Sequence, residues 1–302
     1  MPDFIMMVGL PASGKSTVAK EYGDRGYVVV SSDAIRAELW GDESIQGDPA
    51  KVFGLVQARC RVALLNGLDV VMDATNMNAK KRKGFLRQMP ECRKICVVMA
   101  TPFNECVTRD EERSRSVGIA VMQKMLCTFE MPHRTEGWDR IDIRYCESEH
   151  YIGHEHFNAE TEFDQHNHHH TKTVGEHEIA SAKYAEEQGW HTIVLACAWH
   201  DCGKLHTQSF DEEGEAHYYG HNNASAYYYL TSEFAKHAVE REGDIDSVIE
   251  TASLITWHMV PYQFKREADP QEAAKKWCKQ KGFDELFARD LWHLHLADVW
   301  AH

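Results

Sequence analysis

The pattern of apolar and polar positions changes period near the middle of the chain. In the first half, four short apolar runs stand out: Phe4–Val8, Tyr27–Ser31, Asp69–Met72 and Ile95–Ala100. Each is rich in Val, Ile or Met and shows no apolar–polar alternation, which is how strands buried on both faces read. Helix-like spacing lies between and after them, at Ser16–Tyr22, about Lys51–Asn66, Lys80–Met89 and about Phe103–Arg115. The alternation predicts an α/β domain, a parallel sheet with helices on both faces. Active residues are then expected at the carboxyl ends of the strands.

From Thr173 the pattern is helical. Val174, Ile179, Ala180 and Tyr184 carry a helix-like apolar spacing, and Ile193–Trp199 is an apolar run ending at His200-Asp201. Ala224–Phe234, Val248–His258 and Leu286–Trp300 predict further helices. Strand signal is nearly absent, so the second half is expected to be all-α. Residues 146–172 are poor in aliphatics and rich in His, Glu and Asn, which puts the domain junction near 150. The expected domains are 1–150 and 151–302.

Charge and histidine content separate the halves further. The net charge is −14. Residues 1–150 balance at 21 basic and 21 acidic side chains, so the whole acidic excess lies in 151–302. Seventeen of the 19 histidines lie there too. An acidic half argues against a broad nonspecific grip on a duplex, whereas His with Asp is what metal sites need. The nine cysteines are scattered without a paired metal spacing, pointing to reduced thiols and a cytoplasmic location. Met1–Leu10 reads as a first buried strand, not a signal peptide. No run approaches the roughly 20 apolar residues that a membrane helix needs.

The first chemistry is at residues 9–17, Gly-Leu-Pro-Ala-Ser-Gly-Lys-Ser-Thr. Gly9, Gly14, Lys15 and Ser16 fit the P-loop spacing in its strand–loop–helix context. Backbone N–H groups from Gly9 to Thr17, with Ser13 among them, can wrap a phosphate, and the helix start adds its positive end. Lys15 can reach the β- and γ-phosphates and Ser16 can hold Mg²⁺. The expected ligand is ATP, or another nucleoside triphosphate, with Mg²⁺.

Polar residues follow the next two strands. Asp33, with Arg36 three residues on, suits a general base for an acceptor hydroxyl, or a helix cap. Asp73 suits the Mg²⁺ shell or the cap of the next helix, and Asp73 with Asn76 is also expected to bind the substrate. Arg109 and Arg113 share one helix face, with Arg115 close by. They suit either a cationic lid over the nucleotide or a solvated face paired with neighbouring acids.

These pieces resemble the kinase domain of the bacteriophage polynucleotide 5′-hydroxyl kinase family. The matching segments are 9–17, Ser32-Asp33-Ala34-Ile35-Arg36, Asp73-Ala74-Thr75-Asn76-Met77-Asn78 and Arg109 with Arg113. Phe129-Glu130-Met131-Pro132 and Glu136-Gly137-Trp138-Asp139 resemble the end of that domain. The resemblance implies Asp33 as general base, Arg36 on the nucleic-acid phosphate, and Arg109 and Arg113 as lid arginines.

In the second half His177, His200, Asp201, His221, His258 and Asp298 stand out on successive helices. Imidazole with carboxylate suits a divalent transition metal, which acidifies water for attack on a phosphoester. The set resembles the HD phosphohydrolase superfamily, and most closely the HD domain of bacterial CCA-adding tRNA nucleotidyltransferases. The matching segments are Asn167-His168-His169-His170, Val174-Gly175-Glu176-His177, His200-Asp201-Cys202-Gly203-Lys204 and Tyr218-Tyr219-Gly220-His221. His168 and Cys202 depart from that pattern, replacing Pro and Ile. The resemblance implies one or two ions (Mn, Ni, Co, Zn or Fe) on these ligands and Lys204 beside the phosphate.

Together the resemblances imply an end-healing enzyme. A 5′-hydroxyl kinase would act on RNA ends, with DNA as a further candidate. A phosphoesterase would remove 3′-phosphate or 2′,3′-cyclic phosphate, and a separate RNA ligase would act downstream. The alternative is a nucleoside or metabolite kinase fused to an HD nucleotidase.

Overall fold

The computed structural model describes residues 1–153, 163, 165 and 172–302. The chain divides into two compact units. One is Met1–Gln123 with Pro132–His150, and the other is Lys124–Met131 with Tyr151–His302.

The first unit is built on five parallel strands: β1 (Asp3–Val8), β2 (Val28–Ser31), β3 (Val70–Asp73), β4 (Arg93–Ala100) and β5 (Arg140–Tyr145). Their order across the sheet is β2-β3-β1-β4-β5. The helices are α1 (Lys15–Asp24), α2 (Ser32–Trp40), α3 (Pro49–Leu65), α4 (Ala79–Leu86) and α5 (Phe103–Glu111), followed by α6 (Ile119–Leu126). Every residue of β1 and β3 is buried, as their unbroken apolar runs require. Odd and even positions of β1 face opposite layers. Ile5 and Met7 enter a core with Ala19 and Tyr22 of α1 and with Val71, Ile95, Val97 and Met99. Phe4, on the other side, stacks on Phe85 of α4 with ring centroids 5.8 Å apart.

The order puts β1 between β3 and β4, so the loops after β1 and β3 are neighbours. A main-chain bond joins them, Gly9 N–H to the Thr75 carbonyl at 3.0 Å. The fifth strand was not expected from the sequence. Its apolar residues Ile141 and Ile143 alternate with Arg140, Asp142 and Arg144, and it pairs on one side only.

The second unit is helical among its described residues, with one exception. The helices are α7 (Val174–Glu187), α8 (Val194–Trp199), α9 (Lys204–Thr207), α10 (His221–Leu230), α11 (Glu233–His237), α12 (Ile245–Trp257), α13 (Pro270–Lys281) and α14 (Glu285–Ala301). The exception amends the all-α expectation: strands β6 (Ser209–Phe210) and β7 (Ala216–His217) form a two-residue antiparallel hairpin. Helix α7 packs on α8 and α14, and α10 packs on α12. Segment 124–131, expected with the first domain, clusters with this unit. Phe129 meets Tyr227 edge-on at 5.1 Å, and the Cys127 carbonyl accepts from Asn223 at 2.7 Å. Among the described residues no helix is long and apolar enough to cross a membrane.

Candidate phosphate-handling sites

In the first unit the sites lie where the sheet order puts them. Gly14 caps α1 with φ 89°, a left-handed conformation that favours Gly, and Lys15 and Ser16 begin the helix. A Cβ at Gly9 would stand 2.7 Å from Ser13 Oγ and 3.0 Å from Met99 Cβ, so only Gly lets the loop fold this tightly. The Lys15 ammonium is buried and donates to the Leu10 carbonyl. Burial lowers its pKa to about 8, against the raising field of Asp73. Asp33 and Arg113 also act on that charge, so both lie within electrostatic reach of Lys15. Thr101, after β4, supports the loop from behind by donating to the Ser13 carbonyl at 2.9 Å.

The Ser16 hydroxyl donates to Asp73 Oδ2 at 2.7 Å. That contact places a hydroxyl and a buried carboxylate together beside the P-loop. The cap of α4 is Asn78, which accepts from the Lys81 N–H at 3.1 Å, so Asp73 is not that cap. Asn76 is committed to the fold. It takes φ 47°, and its amide donates to the Met7 carbonyl at 2.8 Å. Asp33 is not a helix cap either, because Ser31 caps α2. Its half-exposed carboxylate pairs with Arg36.

The arginines divide. Arg115 approaches Asp33 at 3.8 Å and Glu43 at 3.3 Å. Arg113 pairs with Asp110 at 3.6 Å. Arg109 is bound to Glu105 of its own helix at 2.7 Å, and Ser148 holds the same Glu105 at 2.8 Å. One further group escaped the sequence reading. The buried Arg82 forms a two-bond ion pair with Glu136 at 2.6 and 2.8 Å and donates to the carbonyls of Asn76 and Met77. It fixes the loop after β3. Four of the first five residues of α4 are basic, and nothing in their spacing marks Arg82 as the buried one.

The second unit gathers all six of its expected residues. His177 Nε2 lies 3.2 Å from His200 Nε2 and 3.0 Å from Asp298 Oδ1. Asp201 stands at the centre. Its Oδ2 is 3.7 Å from both His177 and His200, and its Oδ1 is 3.3 Å from His221 and 3.8 Å from His258. His221 and His258 are 3.3 Å apart through their Nε2 atoms. Among the described residues, two three-residue sets within metal-binding reach therefore share Asp201: His177, His200, Asp201 and Asp201, His221, His258.

The imidazoles are oriented by the main chain. His200, His221 and His258 each turn Nδ1 to the carbonyl three residues back, of Cys197, Tyr218 and Ile255, at 2.8 Å. A proton held on Nδ1 leaves the Nε2 lone pair aimed into the cluster, the arrangement that metal-ligating histidines use. The Asp201 N–H donates to the buried Glu178 at 2.8 Å. Lys204 Nζ lies 2.7 Å from Asp201 Oδ2 and 2.9 Å from Gln165 Oε1. Tyr262 and His302, neither expected, reach Asp298 at 2.8 and 3.5 Å. The i+4 spacing of His302 from Asp298 was the available signal for one of them.

Electrostatics suit a cation. Burial opposes charge throughout the cluster, yet Lys204 and His200 hold the Asp201 carboxyl well below the usual range. Hydrogen bonds from His177 and His200 do the same for Asp298. Burial lowers His200, but Asp201 and Asp298 outweigh it and raise it to about 8, so a bound cation would take the place of a proton on its Nε2. Burial, with His200 and His221 beside it, takes His258 down to about 3, so that ring is a neutral donor. Two ionised carboxylates and four converging imidazoles form a donor set that fits divalent transition metals. Asn167–His170 lies outside the described residues.

Comparison with known proteins agrees with the first unit. The AAA domain family model matches residues 4–132, under half of the chain. With the P-loop and the parallel sheet, this gives the first unit the fold of a P-loop kinase domain. No curated protein matches. Solved structures similar to this chain include the Pnkp1/Rnl/Hen1 complex, at 27% identity over 39% of this chain and 40% of that one, with TM-score 0.34. A second structure of that RNA repair complex gives 25% identity, 41% and 42% coverage and TM-score 0.38. A gluconokinase from Sinorhizobium meliloti 1021 gives 19% identity, 49% and 84% coverage and TM-score 0.36. The chain thus spans well under half of the first two, and superpositions this loose carry no argument about substrate.

Proposed function

We propose that this chain heals broken nucleic-acid ends. Its first unit would phosphorylate 5′-hydroxyl ends with ATP. Its second, an HD-type phosphohydrolase unit, would remove 3′-phosphate or 2′,3′-cyclic phosphate. The observation that supports this reading is the presence in one chain of two candidate centres for phosphate chemistry. One is a P-loop whose Ser16 meets Asp73; the other is a cluster in which Asp201 faces two imidazole pairs.

In the kinase centre Asp33 takes the proton from the acceptor hydroxyl as that oxygen attacks the γ-phosphorus and ADP leaves. Arg36 holds both Asp33 and the phosphate next to the acceptor hydroxyl. Lys15, Arg113 and Arg115 spread positive charge over the transferred group. Arg109 joins them only by leaving Glu105. Ser16 and Asp73 would hold Mg²⁺, which supplies charge neutralisation at the β- and γ-phosphates.

In the second centre His177, His200, Asp201 and Asp298 would hold one divalent cation, and Asp201, His221 and His258 a second. The chemistry such ions supply is Lewis acidity toward water and a phosphoryl oxygen. Lys204 offers a fixed cation for a further phosphate oxygen. The products, a 5′-phosphate and a free 3′-hydroxyl, are what a separate ligase needs.

A second reading, a nucleoside or metabolite kinase joined to a nucleotidase, draws on the net charge of −14, which gives little electrostatic attraction for a polyanion. One experiment separates the two. The γ-phosphate of ATP is offered to a 5′-hydroxyl oligonucleotide and to mononucleosides, with Asp33→Ala as control, and 2′,3′-cyclic ends are offered with Asp201→Ala as control. End healing requires preferred transfer to the oligonucleotide, lost in the first control, and cyclic-end hydrolysis, lost in the second. Better transfer to mononucleosides would give the second reading.

A further inference from the structure

Beside the Asp201 cluster is a cavity of about 340 Å³ lined by Asp201, Lys204, Tyr218, Tyr219, Met259 and Tyr262, among others. Its lining combines ionic groups with a set of aromatic side chains. Tyr219 is the anomaly of that set, because 76% of its surface is exposed. A single exposed aromatic residue is ordinary on a protein surface. Three further observations set this one apart. It lines a cavity that also reaches the cluster's carboxylates Asp201 and Asp298. The His217 ring lies nearly parallel to it, 14° apart with centroids at 5.5 Å. And it sits on a tightly packed turn. Gly220, next in the chain, has φ 80°, and a Cβ there would stand 2.8 Å from Cys127 Cβ. His221 follows as the first residue of α10 and binds back to the Tyr218 carbonyl. Tyr219 therefore sits on the same turn that delivers His221 to the cluster.

We infer that Tyr219, with His217 beside it, is a stacking platform for the base of the terminal nucleotide whose phosphate reaches Lys204 and the cluster. The inference rests on the phosphoesterase reading of this site and names the part of the substrate that the site recognises. A flat ring exposed to water gains little from a sugar phosphate. It gains contact and dispersion from a nucleobase, and it does so without regard to base identity. The cavity has the size of a site for one small ligand, so a single end nucleotide, not a run of them, would be gripped.

The test compares the full-length protein with Tyr219→Ala and Tyr219→Trp on two substrates, uridine 2′,3′-cyclic phosphate and the corresponding base-free ribose 2′,3′-cyclic phosphate. The readout is the ratio of kcat/KM for the nucleotide to that for the base-free ester. Tyr219→Ala should lower that ratio about tenfold, mainly through KM, and Tyr219→Trp should keep it. An unchanged ratio in Tyr219→Ala would overturn the platform. If the wild type cleaves neither ester, the phosphoesterase reading falls, and the platform is judged by binding alone. Calorimetry with uridine 3′-monophosphate, the P-loop filled with ADP, should then show affinity about tenfold weaker in Tyr219→Ala and retained in Tyr219→Trp. Equal affinities, or no binding to wild type, would overturn it.

Discussion

The Tyr262 hydroxyl donates to Asp298 Oδ2 at 2.8 Å, while Asp298 Oδ1 faces His177 Nε2 at 3.0 Å. One carboxylate oxygen is held by the fold and the other is presented to the cluster. Tyr262→Phe removes only the hydroxyl. It should weaken divalent-cation binding by roughly 10- to 100-fold, the usual cost of losing an outer partner of a metal ligand. Titration of the metal-stripped protein with Mn²⁺ measures this directly; an unchanged affinity would make Tyr262 a packing residue only.

Asp33 is half exposed, paired with Arg36, and relieved of capping by Ser31. Asp33→Asn should therefore lower phosphoryl transfer by about 10²- to 10⁴-fold and leave ATP affinity within about twofold. Arg36→Ala should raise KM for the acceptor more than for ATP. Loss of ATP binding in Asp33→Asn would instead give Asp33 a structural role.

The Arg82–Glu136 pair is a stability element with a functional address. Arg82 has a fully buried side chain and also holds the Asn76 and Met77 carbonyls. Removing the Glu136 charge leaves a buried guanidinium without that ionic partner, at a cost of about 3–5 kcal/mol. Glu136→Gln should lower the melting temperature by roughly 10 °C and loosen the loop between Asp73 and Asn78. Hydrogen exchange of that loop is the measurement. Melting as in wild type would show that the pair contributes little.

Acid sensitivity of the first unit should depend on Asp3. Its carboxyl is held below its ordinary value by hydrogen bonds from Arg93 first, against burial, with Tyr27 adding to it. A carboxyl lowered in the folded state adds stability that is fully present above its unfolded value. That stability is lost as the pH falls through the folded value. Denaturant midpoints followed from about pH 6 to about pH 2 should drop less steeply in Asp3→Asn than in wild type; parallel curves would refute the assignment.

How much of this was legible in the sequence depends on whether the cause is local. The P-loop was, because strand, loop and helix start lie within a few residues. The six residues of the Asp201 cluster stood out by type and order, although only folding could bring His177 within 3.0 Å of Asp298, which is 121 positions away. Strand β5 escaped because at a sheet edge it alternates Ile141 and Ile143 with charged residues, unlike its buried neighbours. Helix α13 escaped because its buried residues are only Ala274 and Cys278, a weak stripe among charged side chains. The β6–β7 hairpin was too short to leave a period. Tyr262 carries no spacing relation to Asp298, so nothing in the sequence announced its hydroxyl.

The bonds from His200, His221 and His258 to carbonyls three residues back carry a consequence for how this centre tolerates change. The acceptors are main-chain atoms, so the side chains of Cys197, Tyr218 and Ile255 take no part in aiming the rings. Substitutions at those three positions that preserve the helix ends would leave the tautomers as they are. Cys197 and Ile255 are themselves fully buried, so a change there would reach the centre through packing and not through the proton on Nδ1.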